Sequence, residues 1–263
     1  PTLVVGLATA LGGPTSHTAI IARQLGIPCV VAVHGLDDVA AGTPVLIDGT
    51  RGTVTLAPDP AEAEAAVAEA DALLAAMAGW TGPGATADGH PVAVLANVQD
   101  GSAARSARDT PAEGIGLFRT ELCFLNRDTE PTVEEQTAIY AEVFEAFEGR
   151  KVVIRTLDAG SDKPLKFVGH PDEANPALGV RGIRIAESNP ALLTHQLEAI
   201  ANAAARTSTA PWVMAPMIAT ADEARRFAEA ARGYGLVPGV MIEIPAAALL
   251  ANRILEHVEF LSI

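Results

Sequence analysis

The sequence predicts an α/β protein in which a small β-rich module precedes a larger set of alternating strands and helices. Short β-type runs surround a single helix within residues 1–58. An alanine-rich segment without Gly or Pro follows, and from about residue 90 apolar runs alternate with capped helical segments, as in parallel βα units. We therefore expect three parts, namely a module at 1–58, a linker helix and loop at 59–89, and a βα domain at 90–263.

Composition excludes several classes of function. The net charge of −14 and the absence of a Lys/Arg cluster argue against a nucleic-acid binder. Although 49% of the residues are hydrophobic, no apolar run approaches the ~20 residues that span a bilayer, so we predict no membrane insertion. The sequence shows no signal peptide, and its two cysteines lie in apolar surroundings. These features predict a cytoplasmic protein with free thiols, although the sequence leaves a disulfide between Cys29 and Cys123 open.

Both ends of the sequence look interrupted. The first residue, Pro1, leads directly into a strand-like run, and Ile263 stands inside another apolar run. We therefore expect the chain to be an internal segment of a longer protein.

The first module contains a short helix that begins at a histidine. Thr15 and Ser16 supply hydroxyls typical of a helix N-cap, and Gly26 stands where a glycine commonly ends a helix. His17 therefore falls in the first turn, beside backbone N–H groups that would favour an anion such as a phosphoryl group. The residues alone leave His17 open between a phosphoryl carrier and an ordinary polar residue. The strands expected around this helix are Val4–Ala8, Cys29–Val33, Pro44–Asp48 and Gly52–Leu56.

Residues 61–78 predict a surface linker helix, because they are rich in alanine and glutamate and have only a weak apolar face. From residue 91 onward, two parallel-sheet architectures compete, an open doubly wound sheet and a (β/α)8 barrel. Polar residues at the carboxyl ends of the strands favour the barrel, since barrel enzymes place their active sites there. The predicted strands are Val92–Val98, Gly114–Phe118, Val152–Thr156, Trp212–Ile218, Val240–Ile244 and a sixth that begins at Phe260.

Three arginines and one glutamate are the candidate site residues of this domain. Arg119, Arg155 and Arg181 each follow or end an apolar run, and guanidinium groups match carboxylate and phosphate oxygens. The alternative is that they form structural ion pairs with Glu121, Asp158 or Glu187. The fourth candidate lies in VMIEIPAA, an otherwise apolar strand, where Glu243 would need a partner. That partner is either a hard cation such as Mg²⁺ or an internal arginine.

Several stretches resemble enzyme I of the phosphoenolpyruvate-dependent sugar phosphotransferase system. GGPTSHTAIIARQLGIPCVV resembles its phosphohistidine signature, which pyruvate phosphate dikinase and phosphoenolpyruvate synthase share. Thr18 after the histidine and the Leu157–Lys163 stretch favour enzyme I, although Ser161 and Val180 depart from its usual pattern. The other similar stretches are GIGLFRTELCFLNRDTEPTVEEQ, RTLDAGSDKPLKF, NPALGVRGIR and GVMIEIPAAALLA.

The resemblance implies a partial swivelling phosphohistidine domain (β/β/α) joined by a linker helix to an incomplete (β/α)8 TIM-type barrel. It implies that His17 accepts the phosphoryl group of phosphoenolpyruvate and passes it to the histidine phosphocarrier protein HPr, the first step of sugar uptake. Arg119 and Arg155 would hold the substrate, Arg181 would stabilise transferred charge, and Glu243 would ligate Mg²⁺. The intact protein would be a homodimer.

The family's Asn-Asp pair, later arginine, cysteine proton donor and phosphocarrier-docking domain have no counterpart in these residues. We therefore expect the segment alone to be nearly inactive. Two alternative functions stay open. One is a dikinase or synthase, and the other is a non-catalytic segment that binds phosphoenolpyruvate for regulation.

Overall fold

A computed structural model describes residues 4–14, 16–125, 127–169 and 172–263. The chain divides into two compact units, residues 1–80 and residues 81–263. Each unit has its own secondary structure and is described separately.

In its described residues, the first unit contains two small sheets, two α-helices and a short 3-10 helix at Leu36–Asp38. Strand β1 (Leu7–Ala8) pairs in parallel with β2 (Cys29–Val30), and β3 (Val45–Asp48) pairs antiparallel with β4 (Thr53–Leu56). These strands lie where the sequence predicts them, but β1 and β2 are only two residues long. The α-helices are α1 (His17–Gln24) and α2 (Pro60–Ala78), and no residue of α2 is buried.

Helix α1 has clear start and stop signals. The Ser16 side chain accepts a hydrogen bond from the Ala19 backbone N–H, so Ser16 is the N-cap, whereas Thr15 lies outside the described residues. At the other end, Gly26 has a positive φ of 67°, and the Gly26 and Ile27 N–H groups bond to the Arg23 and Ala22 carbonyls. This Schellman motif confirms the predicted helix stop.

The second unit contains one six-stranded sheet, and all its strand pairs are parallel. The spatial order of the strands follows the chain, so each strand pairs with the next one. A doubly wound sheet reverses direction part-way, and this sheet does not; its order is that of a curled barrel sheet. The strands are β5 (Leu95–Val98), β6 (Gly114–Arg119), β7 (Lys151–Arg155), β8 (Trp212–Ala215), β9 (Val237–Met241) and β10 (Phe260–Ser262).

Two of the helices in this unit begin with capping boxes, as the sequence predicts. Thr132 and Glu135 cap one of them, and Thr220 and Glu223 cap the other. The helices are α3 (Gly101–Arg108), α4 (Val133–Ala146), α5 (Ile185–Ser188), α6 (Pro190–Thr207), α7 (Ala221–Gly233), α8 (Pro245–Leu249) and α9 (Ala251–Ile254).

The core of this unit lies between the sheet and its helices. Phe118 on β6 and Tyr140 on α4 are fully buried and meet edge to face, with ring centroids 5.7 Å apart. Phe144 and Phe147 belong to the same buried cluster. This packing fixes the strands whose carboxyl ends carry the candidate arginines.

Within the described ranges, no helix combines the length with the apolar character that crossing a bilayer requires.

A glycine-to-alanine pair tests the close approach of β6 and β7. A Cβ added at Gly114 would lie 2.5 Å from the Lys151 carbonyl oxygen, whereas one added at Gly233 would meet nothing within 4 Å. We expect G114A to lower the free energy of unfolding by about 1–3 kcal/mol in urea titrations, because the two backbones must separate. G233A, which restricts the unfolded chain in the same way, should be neutral or stabilising by up to about 1 kcal/mol. Equal effects would contradict the tight strand contact.

Candidate functional site

A pocket opens at the carboxyl ends of β6 and β7. Arg119 ends β6, Arg155 ends β7, and the two residues are register partners across the strands. The pocket has a volume of about 290 Å³. Its polar lining residues are Gln99, Arg119, Glu121, Arg155, Asp158 and Lys163. Two of the predicted arginines therefore share one pocket at the edge where barrel enzymes carry their sites.

Arg155 is almost entirely buried and is held by two carboxylates. Its side chain pairs with Glu121, and its Nη2 lies 3.4 Å from Asp158 Oδ2. Its Nη1 also lies 3.6 Å from the Met241 sulfur at the end of β9. These contacts match the structural ion pairs that the sequence left as the alternative, and they occur within the pocket lining. Arg155 therefore forms ion pairs with these carboxylates and lines the pocket at the same time.

Asp158 is the carboxylate that joins two arginines. It accepts hydrogen bonds from Arg181 Nε at 2.8 Å and from Arg181 Nη2 at 3.1 Å, the bidentate geometry that favours an Arg–carboxylate pair. Arg181 Nη1 also donates to Asp162 Oδ2 at 2.9 Å. Arg181 thus connects to the pocket through Asp158.

These contacts shift both ionisation equilibria. Burial raises the pKa of Asp158, but the hydrogen bonds from Arg181 and the charges of Arg155, Arg181 and Lys163 outweigh it, so the net pKa lies below its ordinary value. The hydrogen bond to Asp158 in turn holds the pKa of Arg181 above its ordinary value. The pair is therefore fully ionised near neutral pH.

The buried pair of Arg155 and Glu121 is not saturated with hydrogen bonds. Among the described residues, Arg155 Nε and Glu121 Oε2 are the buried side-chain atoms that have no partner. Unpaired buried polar atoms are rare in folded proteins and often mark functional sites.

Arg119 differs from the other two arginines. Its side chain is exposed, and it makes no hydrogen bond or ion pair with any residue in the described ranges. Lys163 lies across the same pocket and is likewise exposed. The pocket therefore offers two exposed cations that form no ion pair with a carboxylate of the described residues, although the charge of Lys163 reaches Asp158.

Sequence reasoning did not single out Lys163 or Gln99 as site residues. Lys163 follows the turn that its own backbone N–H closes by bonding to the Gly160 carbonyl at 2.9 Å. A lysine in a tight turn after a barrel strand is the signal that could have identified it. Gln99 directly follows β5, but a single glutamine after a strand carries no comparable signal.

The placement of Glu243 corrects the prediction. Strand β9 ends at Met241, two residues earlier, and Glu243 is exposed in the segment before α8 rather than enclosed in an apolar strand. Its Oε1 accepts a hydrogen bond from the Met217 backbone N–H at 2.8 Å. Met217 itself takes a left-handed conformation, with φ 65°. The argument that burial demands a partner is therefore wrong for this residue.

Glu243 fits a Mg²⁺ ion as one ligand among several. Its carboxylate is exposed, and within the described part of the chain a single backbone N–H donates to it. Mg²⁺ commonly takes one or two carboxylates together with waters and substrate phosphates. Within the residues that the structure describes, no group of three or more His, Cys, Asp or Glu side chains could enclose a metal by itself.

The predicted phosphoryl carrier lies in the first unit, where His17 is the first residue of α1. At that position its backbone N–H and the next one precede the regular helical hydrogen bonds, as predicted. Cys29 and Cys123 are both free thiols, and burial raises the pKa of Cys123 to about 12.

Comparison with known families assigns the two parts of the chain. Residues 78–263 match the PEP-binding domain of the PEP-utilising enzymes, where PEP is phosphoenolpyruvate, and residues 2–52 match the mobile domain of the same enzymes. The chain belongs to the PEP-utilising enzymes. The pocket between Arg119 and Lys163 lies inside the residues that match the PEP-binding domain.

Individual relatives agree with this assignment. A phosphoenolpyruvate-protein phosphotransferase from Streptomyces coelicolor is 48% identical over 266 residues, covering 100% of this chain and 48% of the relative. A multiphosphoryl transfer protein from Rhodobacter capsulatus is 46% identical, covering 100% of this chain and 33% of the relative. A phosphoenolpyruvate-protein phosphotransferase from Haloferax volcanii is 41% identical with coverages of 100% and 48%. The chain therefore spans about half or less of the length of these relatives.

The coupling of Asp158 to two arginines predicts a specific pH dependence. Because its folded pKa is lowered, Asp158 stabilises the fold above its unfolded pKa of about 3.9, and this stability is lost as the pH falls through the folded pKa. We expect D158N to lower the free energy of unfolding at pH 7 by about 3–5 kcal/mol, since it uncovers buried positive charge. The variant should also lose part of the acid sensitivity below pH 4 in urea titrations.

The control is D222N. Asp222 also has a lowered pKa because Arg225 donates to it, but its side chain is exposed. D222N should change the stability little at pH 7. Equal effects of D158N and D222N would show that the Asp158 contacts do not support the fold.

Proposed function

We propose that the intact protein is a phosphoenolpyruvate-protein phosphotransferase. It transfers the phosphoryl group of phosphoenolpyruvate to His17 and then to the histidine phosphocarrier protein HPr. The observation that carries the proposal is the arginine-lined pocket at the ends of β6 and β7, within residues that match a PEP-binding domain. The names of the relatives from Streptomyces coelicolor and Haloferax volcanii support the same reaction.

The charges of the pocket suit this substrate. Phosphoenolpyruvate carries a carboxylate and a phosphate, and both are anionic at neutral pH. Glu121 and Asp158 form ion pairs with Arg155, whereas Arg119 and Lys163 are exposed in the pocket and form no ion pair within the described residues, so we assign the contacts with the anionic ligand to them. Arg155 orients the substrate from the pocket wall. Arg181, which is hydrogen-bonded to Asp158, contributes further positive charge next to Arg155.

His17 would act as the nucleophile. One imidazole nitrogen attacks phosphorus as the bond from phosphorus to the enol oxygen breaks, so the phosphoryl group moves to the ring and enolpyruvate leaves. A proton from solvent or another residue then converts the enol to pyruvate. The first-turn N–H groups of α1 favour both the neutral imidazole that must attack and the negative charge of the phosphorylated ring.

Glu243, which is not among the residues that line the pocket, would help to hold Mg²⁺. When it is bound, the ion supplies positive charge that neutralises phosphate oxygens during transfer. Glu243 itself keeps its carboxylate oriented through the Met217 N–H.

The proposal also includes the domain organisation of the chain. We assign residues 1–58 to a swivelling phosphohistidine domain, 59–89 to a linker and 90–263 to part of a (β/α)8 barrel. The swivelling of residues 1–58 would carry His17 between the substrate pocket and the phosphocarrier protein. The intact protein would work as a cytoplasmic homodimer.

The direct test is replacement of the nucleophile. We expect H17A to abolish incorporation of labelled phosphate from phosphoenolpyruvate and all transfer to HPr, because the variant lacks the imidazole that forms the intermediate. H34A removes an exposed histidine of the same unit and should leave both activities unchanged. Retained transfer in H17A would overturn the assignment of His17. A requirement for ATP in place of phosphoenolpyruvate would favour a dikinase.

The 263-residue chain alone offers a second test. We expect little acid-labile phosphorylation of His17 when this chain is incubated with phosphoenolpyruvate and Mg²⁺. Phosphorylation at the rate of the intact protein would contradict that expectation.

Arg119 tests substrate binding apart from stability. We expect R119Q to weaken phosphoenolpyruvate binding about tenfold or more in calorimetric titrations, since one charge-assisted contact contributes about 1.5–3 kcal/mol. Its melting temperature should not change, because Arg119 forms no ion pair with the residues that the structure describes. R226Q, an exposed arginine on α7, should change neither quantity. Unaltered affinity in R119Q would remove Arg119 from the site.

A further inference from the structure

A chain of buried polar side chains runs from the helices to the back of the pocket. Gln196 on α6 occupies its centre and is 1% exposed. Its Oε1 accepts a hydrogen bond from the Leu157 backbone N–H at 2.9 Å. Its Nε2 donates to Thr120 Oγ1 at 3.1 Å and to the Tyr140 hydroxyl at 3.0 Å. One amide thereby bonds to two strand-end segments and to α4.

The backbone carbonyl groups at the two ends of this hydrogen-bond network fix the direction of every bond within it. The Thr120 hydroxyl donates to the Arg155 carbonyl at 3.0 Å, so its oxygen is free to accept from Gln196. On the other side, Gln136 Nε2 donates to the Pro131 carbonyl at 2.9 Å. The Gln136 Oε1 therefore accepts from the Tyr140 hydroxyl at 3.1 Å. Since each terminal carbonyl can only accept, only one arrangement satisfies all of these groups.

The two segments that Gln196 holds are the ones that carry the pocket. Thr120 lies between Arg119 and Glu121, and Leu157 lies beside Asp158. The main chain at these two points sets where the neighbouring pocket side chains begin. None of the amide's three hydrogen-bond partners is itself a pocket-lining residue.

We propose that Gln196 is a positioning residue for the phosphoenolpyruvate pocket, acting through Thr120 and Leu157. This inference rests on the proposed function. The fully paired network holds the ends of β6 and β7 at one separation, so the cations of the pocket keep their spacing before the substrate arrives. Pre-organisation of this kind lowers the entropic cost of binding, because the groups do not have to be ordered by the ligand.

The network supplies its own matched control. T120V keeps the size of the side chain but removes the hydroxyl that links Gln196 to the Arg155 carbonyl, and Q196M removes all three bonds of the amide. Y140F breaks the same network on the side away from the pocket and leaves the Thr120 and Leu157 bonds in place. T120S keeps the hydroxyl and should therefore match the wild type in affinity and stability. Each variant buries unpaired polar groups or removes paired ones, so all except T120S should lower the melting temperature.

The experiment measures phosphoenolpyruvate affinity by calorimetry and thermal stability on the same samples of the intact protein. We expect T120V and Q196M to bind about tenfold more weakly, with Y140F and T120S within about twofold of wild type. The decisive comparison is between T120V and Y140F, which should lose similar stability but differ in affinity. Should Q196M fail to fold, T120V and T120S decide, since both keep the amide.

Three results overturn the inference, and they differ in what else they affect. If the wild-type protein binds phosphoenolpyruvate and T120V and Q196M bind equally well, only the positioning role fails. The positioning role alone also fails if Y140F weakens binding as much as T120V does. If the wild-type protein does not bind phosphoenolpyruvate at all, the proposed function fails and the positioning role fails with it.

Discussion

The pocket depends on one buried carboxylate that two arginines share. Asp158 lies 3.4 Å from Arg155 Nη2 and 2.8 Å from Arg181 Nε, and it is only 4% exposed. Two guanidinium groups this close would repel each other and would resist burial without an anion between them. Because Asp158 and Glu121 meet this requirement within the chain, the arginine cluster is assembled before any ligand binds. Arg119 and Lys163, which are exposed and form no ion pair within the described residues, then remain available to an anionic ligand.

The topology of the sheet explains why these groups meet. Parallel strands place all their carboxyl ends on one edge, and the consecutive order makes β6 and β7 neighbours there. Close approach of the following loops then requires small residues. A Cβ at Gly160 would lie 3.2 Å from the Arg181 side chain, and one at Gly182 would lie 2.9 Å from Met217. Gly182 also has a positive φ of 59°, so a larger residue would be unfavourable there on both counts.

Sequence patterns predicted the elements better than the side-chain environments. Capping boxes and a helix-ending glycine are local signals, so the starts of α4 and α7 and the end of α1 were predictable. The sequence prediction placed β9 too far along the chain. Pro238 and Gly239, which are poor strand formers, lie inside the strand, and the apolar run beyond Met241 resembles a strand. The wrong expectation that Glu243 is enclosed followed from that error. The ion pairs of Arg155 and Arg181 depend on contacts between separate loops, and periodicity contains no information about those contacts.

The consecutive strand order also bears on how the second unit forms. Among the strands that the structure describes, none inserts between two that precede it, so each new strand finds its partner already in place at the growing edge of the sheet. Contacts between neighbouring strands are therefore closer in sequence than in a sheet whose order reverses, and the loop-closure entropy of each step is modest. Such a sheet is suited to sequential assembly during translation, with α4 packing on β6 through Tyr140 and Phe118 before the later strands emerge.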